Sequence, residues 1–299
     1  MLFDLFITFI LPNGLIFNTE RQIDYARFER EAPEIAKGIK DLREQILENQ
    51  TLQERIRSKY RQKNTTGYGL NAFLDYNHPL DILAHLLIGA EGTLGFIAEA
   101  VLETVADLPH KMTGMLYFES PEAACRVIPE LISTGAEALE FMDRASLRSV
   151  ENMKSVPEIL KTLPDNAAAI LCEFQSNTEG GLLEKWQRGQ PIIEKLPLLS
   201  KPFFTQNAGE QAIMWKIRKG MYPSVASVRA SGTAAMLEDL TFPVAKLGDA
   251  IVDVQALFKK YNYENGIIFG HAKDGNLHFC ISQSFATDAE IARFRSCIF

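Results

Sequence analysis

The chain has 299 residues, of which 46% are hydrophobic, and a net charge of −7 at pH 7. This apolar fraction is enough for the cores of one large domain or two ordinary ones. The negative charge argues against the basic surface that binds nucleic acid or an anionic membrane. The four cysteines (Cys125, Cys172, Cys280 and Cys297) are far apart and form no C-x-x-C motif, which predicts reduced thiols in a cytoplasmic protein.

The first residues, "MLFDLFITFILPNGLIF", are apolar but lack the basic segment that begins a signal peptide. A signal peptide is the alternative, but the central Pro-Asn-Gly favours two strands joined by a turn. No apolar stretch has the length of a membrane-spanning helix, so the sequence predicts a soluble protein. A peripheral position at the inner membrane is the alternative to a purely cytoplasmic one.

Residues 19–64 repeat apolar side chains at steps of three and four, which predicts helices divided into two at Pro33. Another helix is expected at 79–87. Alternation and apolar runs then predict strands at 96–105, 112–118, 138–143, 167–176 and 236–242, with helices at 120–134 and 244–260. This mixture predicts an α+β fold, with a domain boundary near Leu108-Pro109.

The segment "FGHAKDGNLHF" (269–279) predicts a hairpin, because Asp-Gly between apolar runs favours a type I′ turn. A two-residue loop at Asp274-Gly275 would place His271 directly opposite His278, on one face of the sheet. Two imidazoles there could share a Zn²⁺ or Mn²⁺ ion, with a carboxylate as the third ligand. Core histidines whose polar atoms are satisfied locally are the alternative.

Three glycines (Gly89, Gly92 and Gly95) lie within seven residues, where the chain leaves the helix at 79–87. Without a Cβ, backbone N–H groups there can approach a phosphate or a flavin ring. The pattern is neither the dinucleotide fingerprint nor a phosphate loop with its lysine. From spacing alone, a tight turn needed only for folding is the alternative.

Several segments taken in order resemble FAD-linked 2-hydroxyacid dehydrogenases of the vanillyl-alcohol-oxidase-like group, over essentially the whole chain. They are "KNTTGYGL", "HPLDILAHLLIGAEGTLGFIAEAVLET", "MWKIRKGMYP", "LEDLTFPV" and "GHAKDGNLHF". Lys273 and the wording "YGLNAFLDY" are similar to the long bacterial branch with iron–sulfur domains. That branch includes D-lactate and D-2-hydroxyglutarate dehydrogenases.

The resemblance implies the second half of a VAO/PCMH-type FAD-binding domain at residues 1–107. An antiparallel-sheet FAD-linked oxidase C-terminal (cap) domain would follow at residues 108–299. The implied reaction is oxidation of a D-2-hydroxyacid, of the D-lactate or D-2-hydroxyglutarate type, to the 2-oxoacid with hydride transfer to flavin. The resemblance identifies neither the electron acceptor nor the oligomeric state, for which a homo-oligomer is one candidate.

The resemblance also assigns site residues. Arg218 would bind the substrate carboxylate, the alternative being an exposed arginine in a basic face with Lys216 and Lys219. His271 and His278 would bind the metal. Asp239 and Glu238 could orient the site or merely cap a strand, and Cys280 stands where some relatives have a substrate-contacting asparagine. The cofactor-binding residues would be Glu91, Gly92, Thr93, Leu94, Gly95, Phe96 and Ile97.

The resemblance further implies an internal fragment that is inactive alone. A Gly-rich pyrophosphate loop is expected before residue 1, and a Glu-His-Gly motif with the third metal ligand and the catalytic base is expected beyond residue 299. Iron–sulfur clusters would belong to missing C-terminal parts. The alternatives are a non-catalytic fragment or subunit unable to bind FAD, and an oxidase-type relative such as an alkyl-ether lipid synthase or a glycolate oxidase subunit.

Overall fold

The computed structural model describes residues 4–65 and 67–298. The chain divides into two compact units, Met1–Ala106 and Asp107–Phe299. Among the described residues, no helix combines the length and the apolar character needed to cross a membrane.

The first unit contains a three-stranded antiparallel sheet in the order β2-β1-β3. Its strands are β1 (Asp4–Ile10), β2 (Ile16–Asn18) and β3 (Phe96–Leu102). The turn between β1 and β2 runs through Pro12 and Asn13 to Gly14, which has φ 85°. The two strands predicted around this turn, and the strand predicted after the glycine loop, are confirmed.

Helices complete the core of the first unit. Within the described residues they are α1 (Gln22–Glu31), α2 (Pro33–Glu48), α3 (Gln50–Lys59), α4 (Ala72–Asp75) and α5 (Pro79–Ile88). The prediction of two helices before residue 64 was wrong. Pro33 begins α2 as expected, but Asn49 ends α2 and caps α3, its side-chain oxygen accepting a hydrogen bond from the Leu52 N–H at 3.0 Å.

The second unit contains a seven-stranded sheet whose neighbouring strands are all antiparallel, in the order β7-β4-β6-β5-β9-β10-β8. The strands are β4 (His110–Phe118), β5 (Ala138–Asp143), β6 (Ala168–Ser176), β7 (Phe203–Thr205), β8 (Thr233–Thr241), β9 (Ile267–His271) and β10 (Asn276–Ser284). Every strand predicted in this unit is present. The short β7 was not predicted, because three residues carry no readable alternation.

The helices of the second unit are α6 (Pro121–Arg126), α7 (Ile128–Ser133), α8 (Arg144–Val150), α9 (Ile159–Thr162), α10 (Glu179–Ile193), α11 (Ala208–Val228), α12 (Leu247–Lys260) and α13 (Asp288–Ile298). The single helix predicted at 120–134 is two helices, because Pro129 has no N–H to continue the hydrogen-bond ladder. The helix predicted at 244–260 begins with a 3₁₀ turn, Val244–Lys246.

Different helices cover the two faces of the large sheet, because side chains alternate along each strand. Helices α6, α7, α10 and α12 pack on the face that carries Phe141 and Ile170. Helices α8, α9 and α11 pack on the opposite face, the α11 face, which carries Met142, Leu171 and Phe269. The α11 face also carries five polar side chains, which lie on strands β5, β6, β8, β9 and β10: Glu140, Glu173, Asp239, His271 and His278.

We expect Gly275→Ala to destabilise the second unit by about 2 kcal/mol or more. Gly275 closes the loop between β9 and β10 with φ 68°, and an added Cβ would overlap the Phe242 carbonyl oxygen. Gly180→Ala is the matched control, because a Cβ at this exposed position in α10 meets nothing within 4 Å. Urea unfolding of both variants measures the difference, and equal midpoints would contradict the role of this turn.

Candidate active site

The two histidines lie on the α11 face, but in a different register from the predicted one. The loop between the strands has four residues, the 3₁₀ turn Ala272–Asp274 and Gly275, so Asn276 pairs with His271, and Phe269 pairs with His278. The predicted two-residue loop, with His271 directly opposite His278, is therefore wrong. The register differs by two residues, which keeps both side chains on one face. Their ring centroids lie 5.2 Å apart, with the ring planes at 88°.

Each imidazole is held by a carboxylate on the neighbouring strand. His271 Nδ1 lies 2.8 Å from Glu140 Oε1, and His278 Nδ1 hydrogen-bonds Asp239 Oδ1. Because an ionised carboxylate only accepts hydrogen bonds, both rings carry their proton on Nδ1. Each Nε2 atom is then a lone-pair donor, and neither has a hydrogen-bond partner among the described residues.

Arg218 lies beside this pair and is buried, with 8% of its surface exposed. Its Nε donates to Glu140 Oε2 at 2.8 Å, and its guanidinium carbon lies 4.7 Å from the centre of the Phe269 ring. Lys216 and Lys219, its neighbours in the sequence, are exposed. The alternative of an exposed arginine in a basic face is therefore wrong.

Burial and charge set the protonation states of this cluster. Burial alone would raise the pKa of Glu140, but the hydrogen bond from His271 and the charge of Arg218 outweigh it and lower that pKa. Burial also lowers the pKa of His278, despite the hydrogen bond to Asp239. At neutral pH the cluster therefore combines an ionised Glu140 with a neutral His278.

The helix α11 brings Arg218 to the sheet. Asn207 caps the helix, its side-chain oxygen accepting hydrogen bonds from Gly209 N–H at 2.9 Å and Glu210 N–H at 3.1 Å. Met214, Arg218 and Met221 recur at steps of four and three and are all buried. The arginine therefore takes a place in the apolar stripe of the helix, where its charge needs the partner that Glu140 provides.

Two glutamates of this face, Glu140 and Glu173, were missed by the sequence reasoning. Glu173 is 2% exposed and accepts hydrogen bonds from Thr113 Oγ1 at 2.6 Å and from Trp215 Nε1 at 2.7 Å. A usable signal was present: one acidic residue inside each of the apolar strands "ALEFMD" and "AAILCEFQS". A charged residue at an inward position of a buried strand requires partners, and so marks a site.

Of Asp239, Glu238 and Cys280, which the sequence also indicated, only one lies at the imidazoles. Asp239 lies on the α11 face and holds His278, whereas Glu238 lies on the opposite face of β8. Cys280 is fully buried in the apolar core of the α11 face, and burial raises its pKa to about 11. The cysteine is thus a packing residue, and only Asp239 belongs to the cluster around the imidazoles.

The cluster offers an incomplete set of metal ligands. Two Nε2 atoms are uncommitted, but no group of three or more His, Cys, Asp or Glu residues suited to a metal ion occurs in the described part of the chain. Glu140 and Asp239 are engaged with Nδ1 atoms, as the outer partners of metal-binding histidines usually are.

The glycine loop of the first unit joins α5 to β3. A Cβ on Gly89 would overlap the Gly67 carbonyl oxygen, and a Cβ on Gly95 would lie 2.9 Å from the Ile10 carbonyl oxygen. Packing therefore accounts for these two glycines. A Cβ on Gly92 would meet nothing within 4 Å, and this residue has φ 79° after Glu91 at φ 48°. The exposed backbone at Glu91 and Gly92 is thus the open part of the loop.

Neighbouring polar contacts fix this loop. Thr93 Oγ1 donates to the Ala90 carbonyl oxygen at 2.6 Å and lies 2.9 Å from Tyr68 Oη, which ties the loop to the "KNTTGYGL" segment. Phe96 follows at the start of β3 with 66% of its surface exposed. His85, in α5, stacks on Tyr76 with ring centroids 3.9 Å apart, so it is a packed residue.

Residues 108–298 match the family model "FAD linked oxidases, C-terminal domain". The chain belongs to the FAD-linked oxidases. The family predicted from the order of the motifs is therefore confirmed, and FAD is the cofactor of this family. Membership of the iron–sulfur branch stays a prediction.

Curated relatives of this FAD-linked oxidase include three with informative names. The glycolate oxidase subunit GlcD of Bacillus subtilis is 26% identical over 66% of this chain and 40% of its own length. A probable mitochondrial D-2-hydroxyglutarate dehydrogenase of Oryza sativa is 27% identical over 79% of this chain and 40% of its own. The D-2-hydroxyglutarate dehydrogenase of Stutzerimonas stutzeri is 25% identical over 76% and 45%. The chain thus spans less than half the length of these relatives.

Solved structures show the fold. An alkyldihydroxyacetonephosphate synthase aligns with a TM-score of 0.53 at 15% identity, over 76% of this chain and 45% of that one. The p-cresol methylhydroxylase aligns with a TM-score of 0.55 at 11% identity, over 98% of this chain and 54% of that one. The predicted α+β fold of the VAO/PCMH type, with an antiparallel cap sheet, is confirmed.

Proposed function

We propose that this FAD-linked oxidase acts in the oxidation of a D-2-hydroxyacid, of the D-lactate or D-2-hydroxyglutarate type, to the 2-oxoacid. The observation that carries the proposal is the arrangement of Arg218, His271 and His278. The Arg218 guanidinium is fixed by Glu140, and it lies beside two imidazoles whose Nε2 atoms have no hydrogen-bond partner among the described residues. A 2-hydroxyacid carries a carboxylate next to a hydroxyl, and this arrangement offers a partner to each. The names of the two dehydrogenases among the relatives support the same substrate class.

Arg218 would bind the substrate carboxylate. Its Nε is occupied by Glu140, and its two Nη atoms have no partner among the described residues. These two atoms form the fork that matches a carboxylate in a bidentate pair. Phe269 supports the guanidinium from one side. The carboxylate thereby fixes the substrate, with its hydroxyl directed toward the imidazoles.

His271 and His278 would act on the hydroxyl side of the substrate. We count their Nε2 atoms as two ligands of a Zn²⁺ or Mn²⁺ site that needs a third. A divalent ion held there would lower the pKa of the bound hydroxyl. The lowered pKa of His278 keeps its ring neutral, which is the form that binds a metal.

The loop Glu91–Ile97 would contact FAD through its backbone. Gly92 fits this role because it is exposed and has no side chain. No atom of the chain lies within 4 Å of the place where a Cβ would be, so a ligand can approach the backbone there. FAD held by this loop would supply the acceptor for a hydride from the substrate carbon. No histidine or cysteine lies within the loop, so we expect the flavin to be bound non-covalently.

The test is anaerobic reduction of the flavin in the natural protein that carries this chain. D-Lactate and D-2-hydroxyglutarate are each compared with the L-enantiomer. Bleaching by a D-2-hydroxyacid, and turnover with an artificial acceptor, are expected. A protein without bound flavin would support the non-catalytic alternative, and equal bleaching by both enantiomers would contradict the proposal.

Glycolate is the second candidate substrate, because the GlcD subunit of Bacillus subtilis is among the relatives. It carries the same carboxylate and hydroxyl but has no side chain at the reacting carbon. A kcat/KM for glycolate above those for D-lactate and D-2-hydroxyglutarate would favour it. Comparison of an artificial acceptor with O₂ separates a dehydrogenase from an oxidase.

We expect Gly92→Ala to weaken FAD binding at least tenfold, about 1.4 kcal/mol, because a Cβ would occupy the space that the flavin approaches. Gly92→Asn separates this effect from backbone strain, since asparagine tolerates a positive φ but still carries a Cβ. Titration of the apoprotein with FAD, followed by flavin fluorescence, measures both variants. Wild-type affinity in Gly92→Asn would exclude the Cβ contact.

A further inference from the structure

Glu140 lies between the two groups that are proposed to bind the substrate, and no contact with the substrate itself is assigned to it. It lies in β5, directly opposite His271 on β9, and is 6% exposed. Its Oε1 lies 2.8 Å from His271 Nδ1, and its Oε2 lies 2.8 Å from Arg218 Nε. One buried carboxylate thus accepts one hydrogen bond from each of the two groups proposed to bind opposite ends of the substrate.

The contact with Arg218 fixes the direction of the guanidinium fork. The hydrogen bond uses Nε, and the ring of Phe269 supports the guanidinium with 4.7 Å from its carbon to the ring centre. These two contacts oppose rotation of the guanidinium. Because the contact uses Nε, the N–H groups of both Nη atoms can donate to a carboxylate in a bidentate pair.

The contact with His271 fixes a proton. An ionised carboxylate accepts and cannot donate, so a neutral imidazole that faces it carries its proton on Nδ1 and its lone pair on Nε2. Without Glu140 both tautomers would be open to this ring, whose side chain is 39% exposed. A ring with its proton on Nε2 has no lone pair there for a metal ion.

We propose that Glu140 is a positioning residue that sets, at the same time, the Nδ1–H tautomer of His271 and the orientation of the Arg218 fork. The kinetic part of this inference rests on the proposed function, whereas the tautomer part concerns the protein alone. Glu140→Gln distinguishes the two contacts. An amide has only one accepting oxygen, and we expect it to stay with the charged Arg218. The amide N–H₂ then faces His271 and donates to Nδ1, so the proton of the imidazole moves to Nε2.

The test is ¹⁵N NMR of the chain labelled in its five histidines, with His271 assigned from the signal lost in His271→Asn. We expect the Nδ1–H form in the wild type and the Nε2–H form in Glu140→Gln. Glu173→Gln is the matched control, a buried glutamate of the same face whose partners are Thr113, Gln175 and Trp215. His271 is expected to keep its wild-type signals in that variant.

Metal and kinetic measurements complete the test. We expect Glu140→Gln to weaken Zn²⁺ binding by about 10–100-fold and, in the natural protein that carries this chain, to raise the KM for the hydroxyacid. An Nε2–H tautomer in the wild type would overturn the inference without any variant, even if Glu140→Gln does not fold. An unchanged tautomer in folded Glu140→Gln would also overturn it. A tautomer change in a protein that oxidises no hydroxyacid would contradict the proposed function and leave the positioning role intact.

Discussion

Replacing His278 by alanine is expected to lower the affinity of the chain for Zn²⁺ by about 100-fold or more. An incomplete site depends on each of its ligands, and one nitrogen ligand of a zinc site contributes about 3 kcal/mol. In the natural protein that carries this chain, the same change should abolish turnover with a hydroxyacid and leave the flavin spectrum intact, because the metal is proposed to act on the substrate. Isothermal titration with Zn²⁺ and single-turnover flavin reduction measure the two effects.

The matched control is His110→Ala. His110 lies in the same unit at the start of β4, opposite Ser176, and contributes nothing to the cluster around Glu140. We expect wild-type Zn²⁺ affinity in this variant and a loss in His271→Ala similar to that in His278→Ala. Equal Zn²⁺ affinity in the wild type and in His278→Ala would return both histidines to the role of locally satisfied core residues.

Replacing Arg218 by methionine is expected to raise the KM for the hydroxyacid by at least about 100-fold. The two charge-assisted hydrogen bonds proposed between Arg218 and the substrate carboxylate would be lost, at about 1.5–3 kcal/mol each. Arg218→Lys keeps the charge but not the fork, so it should recover only part of this loss. Lys216→Met is the control, because this exposed lysine lies on the same helix. Steady-state kinetics with a D-2-hydroxyacid measure the series, and a KM for Arg218→Met equal to that of the control would contradict the assignment.

Arg218→Met also changes how stability depends on pH. In the wild type the pKa of Glu140 is lowered below its ordinary value of 4.5, so this carboxylate contributes stability above that pH and loses it as the pH falls through its folded pKa. Without Arg218 one cause of the lowered pKa is lost, so the folded pKa of Glu140 lies higher than in the wild type and the carboxylate contributes less stability at neutral pH. The difference in unfolding free energy between wild type and variant should therefore grow from about pH 4 to pH 7, and urea unfolding at both pH values measures it.

The sequence by itself determined most of the strands and the family. The strands around Pro12-Asn13-Gly14 and the strands of the cap sheet follow from alternation and turn residues, which are local properties of the chain. It also determined that His271 and His278 share a face: the loop is longer than expected, but the register differs by two residues, and strand side chains have a period of two.

Only the tertiary structure decided what surrounds these histidines. Glu140 is 78 residues from Arg218 and 131 residues from His271 along the chain, and the strand order β5-β9-β10-β8 is what brings Glu140 and Asp239 to the two rings. An apolar strand that contains one glutamate indicates that a buried charge must be paired. Which partner pairs with it depends on strand order and on helix packing, and contacts at such separations leave no periodic signal in the sequence.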